Sequence, residues 1–398
     1  MSEWKEYKLG DIADVKGGKR LPKGELLVNY ETPHPYIRIT DLGEKWIRKA
    51  GLQFVPSEIQ KNISRYIVNS GDVILSIVGS IGFVGRIPQE LNGANLTENC
   101  VKFLTNKKII DNDFLYYFLL SSIGQEEINK RNVGSTQPKL PLYNIKDVDI
   151  SLPPLPEQTA IASILSSLDD KIDLLHRQNA TLEKLAETLF RQWFVEEAKE
   201  EWEMGKVSDY AIHFKDSIQP QKTPSTFYFH YSIPSFDNEK NPIKELGQEI
   251  QSNKYKVPEF CILFSKLNPH KDKRVWLLQN EVGANAACST EFQIVLPKSK
   301  QHLYFLYGWL TLNENYNEIA SGVGGTSGSH QRIDPNTIYN FQCPIFADDF
   351  IENINTQIKP LFQKQLTNQT QIRTLTALRD TLLPKLMSGE VRVEKIKY

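Results

Sequence analysis

Apolar residues recur at alternating steps of three and four along residues 152–199, the longest regular hydrophobic pattern in the chain. Its apolar positions are Ile161, Leu165, Leu168, Ile172, Leu175, Leu182 and Leu189, with Asn179 as a polar position of the same seam. A proline run opens the segment, and no proline or glycine lies between Pro156 and Gly205. This spacing predicts one long coiled-coil helix. About 40 residues at ~1.5 Å each give roughly 60 Å, so a second long helix is needed to cover the seam.

A second run with the same spacing lies near the other end of the chain. Its apolar positions are Ile354, Ile358, Leu361, Ile372, Leu375 and Leu382. The offset between the runs is constant, because 375 − 182 = 193 for Leu375 and Leu182, and 382 − 189 = 193 for Leu382 and Leu189. A constant offset indicates an internal duplication.

The segments before each long helix have the pattern of mixed α/β (α+β) globules. In the first, residues 36–40, 72–78 and 101–104 predict strands and residues 113–120 predict a buried helix. The second globule repeats this plan, while its loops differ. The predicted domains are residues 1–151, 152–200, 201–346 and 347–398. A shared framework with different loops predicts two different recognition surfaces, since loops commonly carry binding residues.

The amino-acid composition favours a globular protein and counts against a protein that binds DNA on its own. The chain has 398 residues, of which 40% are hydrophobic and 24% charged, as is usual for a soluble globular protein. Its formal net charge of −1 does not indicate a stand-alone DNA-binding protein, unless basic residues cluster locally or partners supply them. Four scattered cysteines without a CxxC pair, and the lack of an apolar signal or membrane segment, predict a cytoplasmic protein with reduced thiols.

Motifs for catalysis are incomplete. Asn268-Pro269-His270 lacks the second proline and the aromatic residue of adenine methyltransferases, and the glycine-rich stretch 322–325 lacks the Lys-Ser/Thr of a phosphate loop. The seven histidines show no metal-binding spacing. The sequence therefore predicts no catalytic residue, no metal and no cofactor in this chain.

Several strings resemble the specificity subunit of type I restriction–modification enzymes. They are Leu152-Pro-Pro-Leu-Pro-Glu-Gln158, Leu168-Asp-Asp-Lys-Ile172 and Thr381-Leu-Leu-Pro-Lys-Leu-Met-Ser-Gly-Glu-Val-Arg392. The resemblance covers the whole chain; the helix motifs are specific, and the globules match only in pattern. It implies a non-catalytic DNA-reading subunit with two target-recognition domains separated by an antiparallel two-helix coiled coil. Pro360 departs from this pattern, and since a proline inside a helix breaks or kinks it, we expect the second helix to start or bend there.

The resemblance also implies partners. They are double-stranded DNA, two methyltransferase (M) subunits, and motor nuclease (R) subunits that join through the M2S complex, with S-adenosylmethionine, ATP and magnesium on those subunits. Antiparallel pairing of duplicated helices would invert the two globules, so each would read one half of an asymmetric bipartite target across a gap that the helices set. The alternatives are a structural adaptor whose helices space two protein-binding globules, and an enzyme in its own right.

Basic and polar loops supply the candidates for DNA contact, because Lys and Arg neutralise phosphates and Arg pairs bidentately with guanine. In the first globule they are Lys16, Lys19, Arg20, Lys23, Arg38, Ser135, Thr136, Gln137 and Lys139. In the second they are Lys266, His270, Lys271, Lys273, Arg274, Thr326, Ser327, Ser329, His330 and Arg332. The alternative interpretation of each stretch is a solvated surface loop or turn.

Overall fold

The computed structural model of the chain describes residues 4–43, 45–134, 138–324 and 331–393. They form two compact units, here called unit 1 (Met1–His176 with Gln369–Tyr398) and unit 2 (Arg177–Asn368). Both units contain helices and sheets, so the predicted mixture of α and β structure is confirmed. None of the described helices is long and apolar enough to cross a membrane.

The elements of unit 1 alternate between short strands and helices. The strands are β1 (Lys5–Lys8), β2 (Ala13–Gly17), β3 (Pro35–Ile37), β4 (Gln53–Phe54), β5 (Val73–Ser76), β6 (Val84–Arg86), β7 (Asn95–Leu96), β8 (Cys100–Thr105) and β9 (Asp149–Leu152). The helices are α1 (Leu9–Ile12), α2 (Ser57–Ile63), α3 (Asn112–Leu120), α4 (Ser122–Lys130), α5 (Leu142–Lys146) and the long helix α6 (Leu155–Arg191), whose last part belongs to unit 2.

An antiparallel four-stranded sheet in the order β2-β8-β5-β6 forms the centre of unit 1. All four residues of β5 are buried, as expected of a continuous apolar run inside a sheet. Gly79 and Gly82, with φ of +73° and +95°, lie in the turn between β5 and β6, where the chain needs a conformation that glycine adopts freely. β5 and β6 therefore form an antiparallel hairpin across this turn.

Helix α3 covers this sheet and begins at a capping aspartate. The carboxylate of Asp111 accepts hydrogen bonds from the backbone N–H groups of Asp113 (2.8 Å) and Phe114 (3.1 Å), which satisfies two donors of the first turn. Phe114 and Tyr117 are buried in the same core as Phe103 of β8. The helix predicted for residues 113–120 is confirmed.

The strand predicted for residues 36–40 is shorter than expected. It ends at Ile37, and a 3₁₀ turn follows at Ile39–Asp41. The carboxylate of Asp41 accepts a hydrogen bond from the backbone N–H of Arg38 at 2.7 Å, which stabilises a turn in place of a sheet partner.

Unit 2 contains the remaining elements. Its strands are β10 (Met204–Lys206), β11 (Ala211–Phe214), β12 (Ser217–Ile218), β13 (Phe227–Tyr231), β14 (Ile243–Leu246), β15 (Lys254–Lys256), β16 (Cys261–Ser265), β17 (Val275–Leu278), β18 (Ala286–Cys288), β19 (Phe292–Pro297), β20 (Val323–Gly324), β21 (Arg332–Ile333) and β22 (Gln342–Pro344). Its helices are α7 (Val207–Tyr210), α8 (Ile233–Asp237), α9 (Leu303–Thr311), α10 (Asn313–Ser321), α11 (Pro335–Asn340) and the first part of α12 (Asp348–Met387).

The central sheet of unit 2 has the order β11-β19-β16-β17, again with every pair antiparallel. Among the described strands, β3 pairs with β7 in parallel in unit 1, and β13 pairs with β18 in parallel in unit 2. The second sheet differs in size, with three strands in unit 1 and five in unit 2. The two units therefore share a strand arrangement and differ in what surrounds it.

The long helix α12 runs from Asp348 to Met387, so the expectation that it starts at Pro360 is wrong. Pro360 is exposed, while Ile354 and Ile358 before it and Phe362 after it are buried in one core. A proline inside a helix costs about 3 kcal/mol, whereas each large apolar side chain gains about 1.5–3 kcal/mol on burial. Packing on both sides of the proline therefore outweighs the lost hydrogen bond.

In unit 1 the two long helices run antiparallel, because Asp169 pairs with Arg379 (3.1 Å) and, further along α6, Leu175 packs with Ile372. The seam residues of this unit divide into two sets. Ile172, Leu175, Ile372 and Leu375 form a separate apolar cluster, Ile161, Leu165 and Leu382 pack into the globular core, and Leu168 is half-buried.

In unit 2 the same helices meet at a polar layer in which Asn368 donates to Asn179 (Nδ2 to Oδ1, 2.9 Å). Further along α6, Ala186 lies in the same core as Phe362, so the helices are antiparallel here as well. Four predicted seam residues, Leu189, Ile354, Ile358 and Leu361, pack in or against this core, and Leu182 is half-buried. The apolar stripes thus serve both helix pairing and packing onto a sheet-containing core.

A close backbone contact anchors the basic loop that follows β2, and a glycine substitution tests it. A Cβ on Gly18 would lie 2.1 Å from the carbonyl oxygen of Thr97, whereas nothing lies within 4 Å of a Cβ on Gly17. We expect Gly18→Ala to lower the free energy of unfolding by about 1–3 kcal/mol and Gly17→Ala to change it little. The measurement is urea unfolding of both variants; equal stability would contradict the contact.

Candidate nucleic-acid interface

A basic cavity of about 330 Å³ opens in unit 1 beside the predicted loop. We call it the basic cavity, and its lining includes Lys16, Gly17, Arg65, Tyr66, Leu96 and Lys102. They come from β2, from the segment after α2, from β7 and from β8. Three cations and one aromatic ring therefore converge although the chain as a whole is nearly neutral.

Strand register places two of these cations side by side. Lys16 lies directly opposite Lys102 in the antiparallel pair of β2 and β8, and directly opposite residues share a face of the sheet. Each lysine has a carboxylate partner: the Nζ of Lys16 lies 2.6 Å from Asp14, and the Nζ of Lys102 lies 3.5 Å from Asp72. The hydrogen bond from Lys16 lowers the pKa of Asp14, so this carboxylate stays ionised. The two carboxylates offset the repulsion between the lysines.

Lys19 and Arg65 add cations to the same region. The Nζ of Lys19 lies 6.0 Å from the centre of the Tyr66 ring, and its backbone is held by hydrogen bonds to Leu96 (2.8 Å) and Tyr36 (2.9 Å). Within the described ranges, neither Lys19 nor Arg65 forms an ion pair with a carboxylate. The cavity therefore keeps uncompensated positive charge beside the half-buried ring of Tyr66, which suits a phosphate group.

The other candidates of the first loop differ in their surroundings. Arg20 pairs with Glu98 at 2.8 Å and remains largely exposed, and Lys23 is exposed. Arg38 is held more firmly, since its guanidinium donates to both carboxylate oxygens of Asp41 and, at 2.7 Å, to the side-chain oxygen of Gln53. An arginine fixed in this way has a defined direction, and it would have to leave these partners to reach a base.

The second polar loop of unit 1 is only partly described. Lys139 is exposed, and its backbone pairs with Val133 and Val78. Ser135, Thr136 and Gln137 lie outside the described residues. Lys139 is not among the residues that line the basic cavity.

In unit 2 the dense basic run divides into structural and exposed cations. Arg274 binds Asp237 with two hydrogen bonds (2.7 and 2.9 Å) and Asp272 at 2.8 Å, and these hydrogen bonds raise its pKa. Lys273 donates to the carbonyl oxygen of Thr311 and lies near α6 and α10, where burial lowers its pKa. Both side chains are thus engaged within the protein.

The remaining cations of this run lie nearer to solvent. His270 and Lys271 are exposed, and Lys266 is half-buried with its backbone between Glu291 and Ile333. Arg332 binds both carboxylate oxygens of Glu291 (2.8 and 2.9 Å). Thr326, Ser327, Ser329 and His330 lie outside the described residues.

One ion pair recurs in the two units. Glu98 precedes β8 and holds Arg20, and Glu291 precedes β19 and holds Arg332. The equivalence of Glu98 and Glu291 follows from the equivalent positions of β8 and β19 in the two central sheets. Each unit therefore presents an arginine beside the start of the same strand.

Sequence reasoning missed Arg65, Tyr66 and Lys102. The signal for Lys102 is a lone charge inside the otherwise apolar strand Cys100–Thr105, and the signal for the other two is a basic–aromatic pair just after a short helix. Neither signal is specific by itself. Only the register of β2 against β8, together with the return of the chain past β7, brings the three residues together.

The described residues offer neither a reactive thiol nor a group of metal ligands as an alternative candidate site. All four cysteines are buried as free thiols, and burial raises the pKa of Cys100 and Cys288 to about 12, which makes them poor nucleophiles. In the part of the chain that the structure describes, no three His, Cys, Asp or Glu side chains are grouped as a metal site would require. The strongest candidate surface is therefore the basic cavity.

Comparisons with known proteins show which families this chain is similar to. Residues 1–184 match the sequence family described as the type I restriction modification DNA specificity domain. The chain is 27% identical over 424 residues to the type I restriction enzyme MjaIX specificity subunit of Methanocaldococcus jannaschii, covering 99% of this chain and 95% of that protein. It is 22% identical to the HindI specificity subunit of Haemophilus influenzae, covering 98% and 100%.

A solved structure extends the likeness to the fold. The S subunit of a type I restriction–modification system from M. genitalium superposes with a TM-score of 0.61 at 16% identity, covering 96% of each chain. Along nearly its whole length, the chain is similar to specificity subunits of type I restriction–modification enzymes.

Substitution of single cations separates structural from exposed members of the basic run in unit 2. Arg274→Ala removes three hydrogen bonds to two carboxylates, and we expect the free energy of unfolding to fall by about 1–2 kcal/mol. Lys271→Ala, at an exposed neighbouring cation, should stay within about 0.5 kcal/mol of the unsubstituted chain. Thermal unfolding measures both; a stable Arg274→Ala variant would show that this arginine is not structural.

Proposed function

We propose that this chain is a type I specificity subunit that reads an asymmetric bipartite DNA target, with one half read by each globular domain. The observation that carries the proposal is the shared central sheet of the two units, combined with second sheets and loops that differ. Equivalent frameworks would present their loops to DNA in equivalent ways, while different loops would select different bases. The proposed recognition domains are residues 1–151 and 201–346.

The long helices would connect these domains as an antiparallel coiled coil, formed by residues 152–200 and 347–398. Antiparallel pairing of duplicated helices creates a local two-fold axis, and duplex DNA has such axes of its own. The length of the helices would then set the gap between the half-sites. The antiparallel contacts seen separately within each unit support this arrangement.

Catalysis would belong to other subunits. The proposed partners are two methyltransferase subunits that dock on the helices, and nuclease subunits that join the resulting complex. S-adenosylmethionine, ATP and magnesium would be bound by those partners. The net charge of −1 supports a division of labour in which the partners supply much of the basic surface around DNA. We place this assembly in the cytoplasm, where its DNA target lies.

Within unit 1, the basic cavity would hold the DNA backbone. Lys16 and Lys102 lie on one face of the sheet, and Arg65 and Tyr66 lie beside them. Phosphate contacts of this kind fix the position of a protein on the duplex without selecting a sequence. Base selection would then fall to neighbouring loop residues.

Arg65 provides a direct test of the cavity. In the complex reconstituted with its methyltransferase, we expect Arg65→Ala to weaken duplex binding uniformly across sequences and to reduce the slope of log K against log salt by about 1. Lys61→Ala is the matched control, since Lys61 is an exposed cation in the last turn of the preceding helix and does not line the cavity. An unchanged salt slope for Arg65→Ala would contradict a phosphate contact.

Helix length tests the bipartite arrangement. Removing one heptad from equivalent positions of both helices shortens them by about 10 Å, which corresponds to about three base pairs. We expect the methylated sequence in cells that express the variant with its methyltransferase to keep both half-sites and lose about three base pairs from the gap. A control with surface substitutions in the same heptads keeps the length and should keep the gap. An unaltered gap in the shortened variant would refute the role of the helices.

A further inference from the structure

Polar residues where the long helices meet have apolar residues at the repeat-equivalent positions. The offset of 193 residues that relates Leu182 to Leu375 also relates other positions of the two helices. At this offset, Leu175 of α6 is equivalent to Asn368 of α12, and Asn179 is equivalent to Ile372. Likewise, Asp169 is equivalent to Phe362, and Ala186 is equivalent to Arg379. The duplicated helices have therefore become different at the positions where duplication alone would make them alike.

The asparagine layer lies in unit 2. The side-chain amide of Asn368 donates to the side-chain oxygen of Asn179 at 2.9 Å, and Asn368 is fully buried. Gln365 donates to the backbone oxygen of Asn179 at 3.0 Å. Each helix thus supplies a polar group that the other helix satisfies.

The charged layer lies in unit 1. Asp169 is only 7% exposed, and its carboxylate accepts hydrogen bonds from Arg379 (3.1 Å) and from the hydroxyl of Tyr117 (2.7 Å). A carboxylate this deeply buried is tolerated because a cation and a hydroxyl compensate it. Arg379 on the opposite helix provides that cation.

The repeat-equivalent layers are apolar on both sides. Leu175 and Ile372, the equivalents of Asn368 and Asn179, belong to one apolar cluster in unit 1. Ala186 and Phe362, the equivalents of Arg379 and Asp169, lie in one core in unit 2. In each of these four layers, the pairing of α6 with α12 therefore places polar residues opposite polar residues and apolar residues opposite apolar residues.

Pairing of identical helices would undo all four matches. If a second copy of α6 took the place of α12 in the register of the repeat, Asn179 would face Leu175, and Asp169 would face Ala186. If a second copy of α12 took the place of α6, Asn368 would face Ile372, and Arg379 would face Phe362. The buried Asn368 and Asp169 would then lose Asn179 and Arg379, their partners on the opposite helix, which is costly for an amide and more so for a charge.

We propose that these layers determine the pairing specificity of the long helices. They favour association of α6 with α12, and they disfavour association of α6 with α6, or of α12 with α12, from a second copy of the chain. The specificity arises because each polar layer has an apolar layer at the repeat-equivalent position of two otherwise similar helices. It concerns assembly alone and does not depend on how the protein reads DNA.

The test uses the full chain, cut after folding. A protease site placed in the exposed segment 197–201 allows cleavage into an N fragment that carries α6 and a C fragment that carries α12. The cut protein is dissociated in urea, returned to buffer, and analysed by native mass spectrometry for N:C, N:N and C:C pairs. For the unsubstituted sequence we expect N:C pairs to exceed both homotypic pairs by at least about tenfold, since about 1.4 kcal/mol is tenfold in an equilibrium constant.

The substitution Asn179→Ile gives effects of opposite sign on two pairs. The buried amide of Asn368 then keeps only its longer hydrogen bond to Gln178 (3.4 Å), so N:C pairs should weaken by about tenfold. The introduced isoleucine would face Leu175 of another N fragment, so N:N pairs should strengthen by about tenfold. Asn368→Leu should do the same for C:C pairs. A merely destabilising substitution would weaken N:C and N:N pairs together.

The double variant Asn179→Ile with Asn368→Leu keeps the test valid if a single variant fails to fold. Its layer is apolar in every combination, so N:C pairs should recover and homotypic pairs should appear beside them. The proposal is overturned if the unsubstituted fragments form N:N and C:C pairs as readily as N:C, or if the double variant still forms N:C pairs alone.

Discussion

The apolar stripe along each long helix has to be removed from water, and the fold of both units follows from how this is done. Neither helix covers the stripe of the other along its full length. In unit 1, Ile161 and Leu165 insert into the globular core, and only further along does Ile172 meet Ile372 of the partner helix. Because the same stripe serves helix pairing and core packing, a helix in this protein cannot be separated from its sheet without exposing a core.

The two units have the same strand arrangement in their central sheets and differ in the structure around it. The antiparallel central sheet is kept, and so is the glutamate that precedes its second strand in each unit, Glu98 and Glu291, each bound to an arginine. The second sheet is enlarged from three strands to five. Change is thus concentrated in the parts that do not hold the long helices, which is where divergent binding specificity costs least stability.

Much of the framework could be predicted from the sequence because its signals are local and periodic. The seam spacing, the glycines after β5 and the apolar segment 113–120 each determine a structure within a few residues. Pro360 misled prediction, because a local rule for helix breaking was outweighed by side chains of a distant core. Tertiary packing, not propensity, decided that position.

The candidate surface was less predictable, since its members are joined by contacts distant in sequence. Arg274 looked like a free cation until the structure placed it against Asp237, 37 residues earlier, and Lys102 looked like an ordinary strand residue until the register placed it beside Lys16. Residue type and spacing in the sequence cannot show whether a basic side chain is bound to a nearby carboxylate or is free to bind a ligand.

If Lys16 and Lys102 bind DNA as proposed, the carboxylates beside them would affect the kinetics and the selectivity of binding. Asp14 and Asp72 act as internal counterions, so a phosphate that approaches these lysines displaces a tethered carboxylate and does not release a mobile cation to solution. The entropy gain that usually drives indiscriminate adhesion to nucleic acid is thereby reduced. With Lys16 and Lys102 neutralised and only Lys19 and Arg65 uncompensated, the surface would hold random sequence less tightly than four uncompensated cations would, and this would favour scanning over trapping.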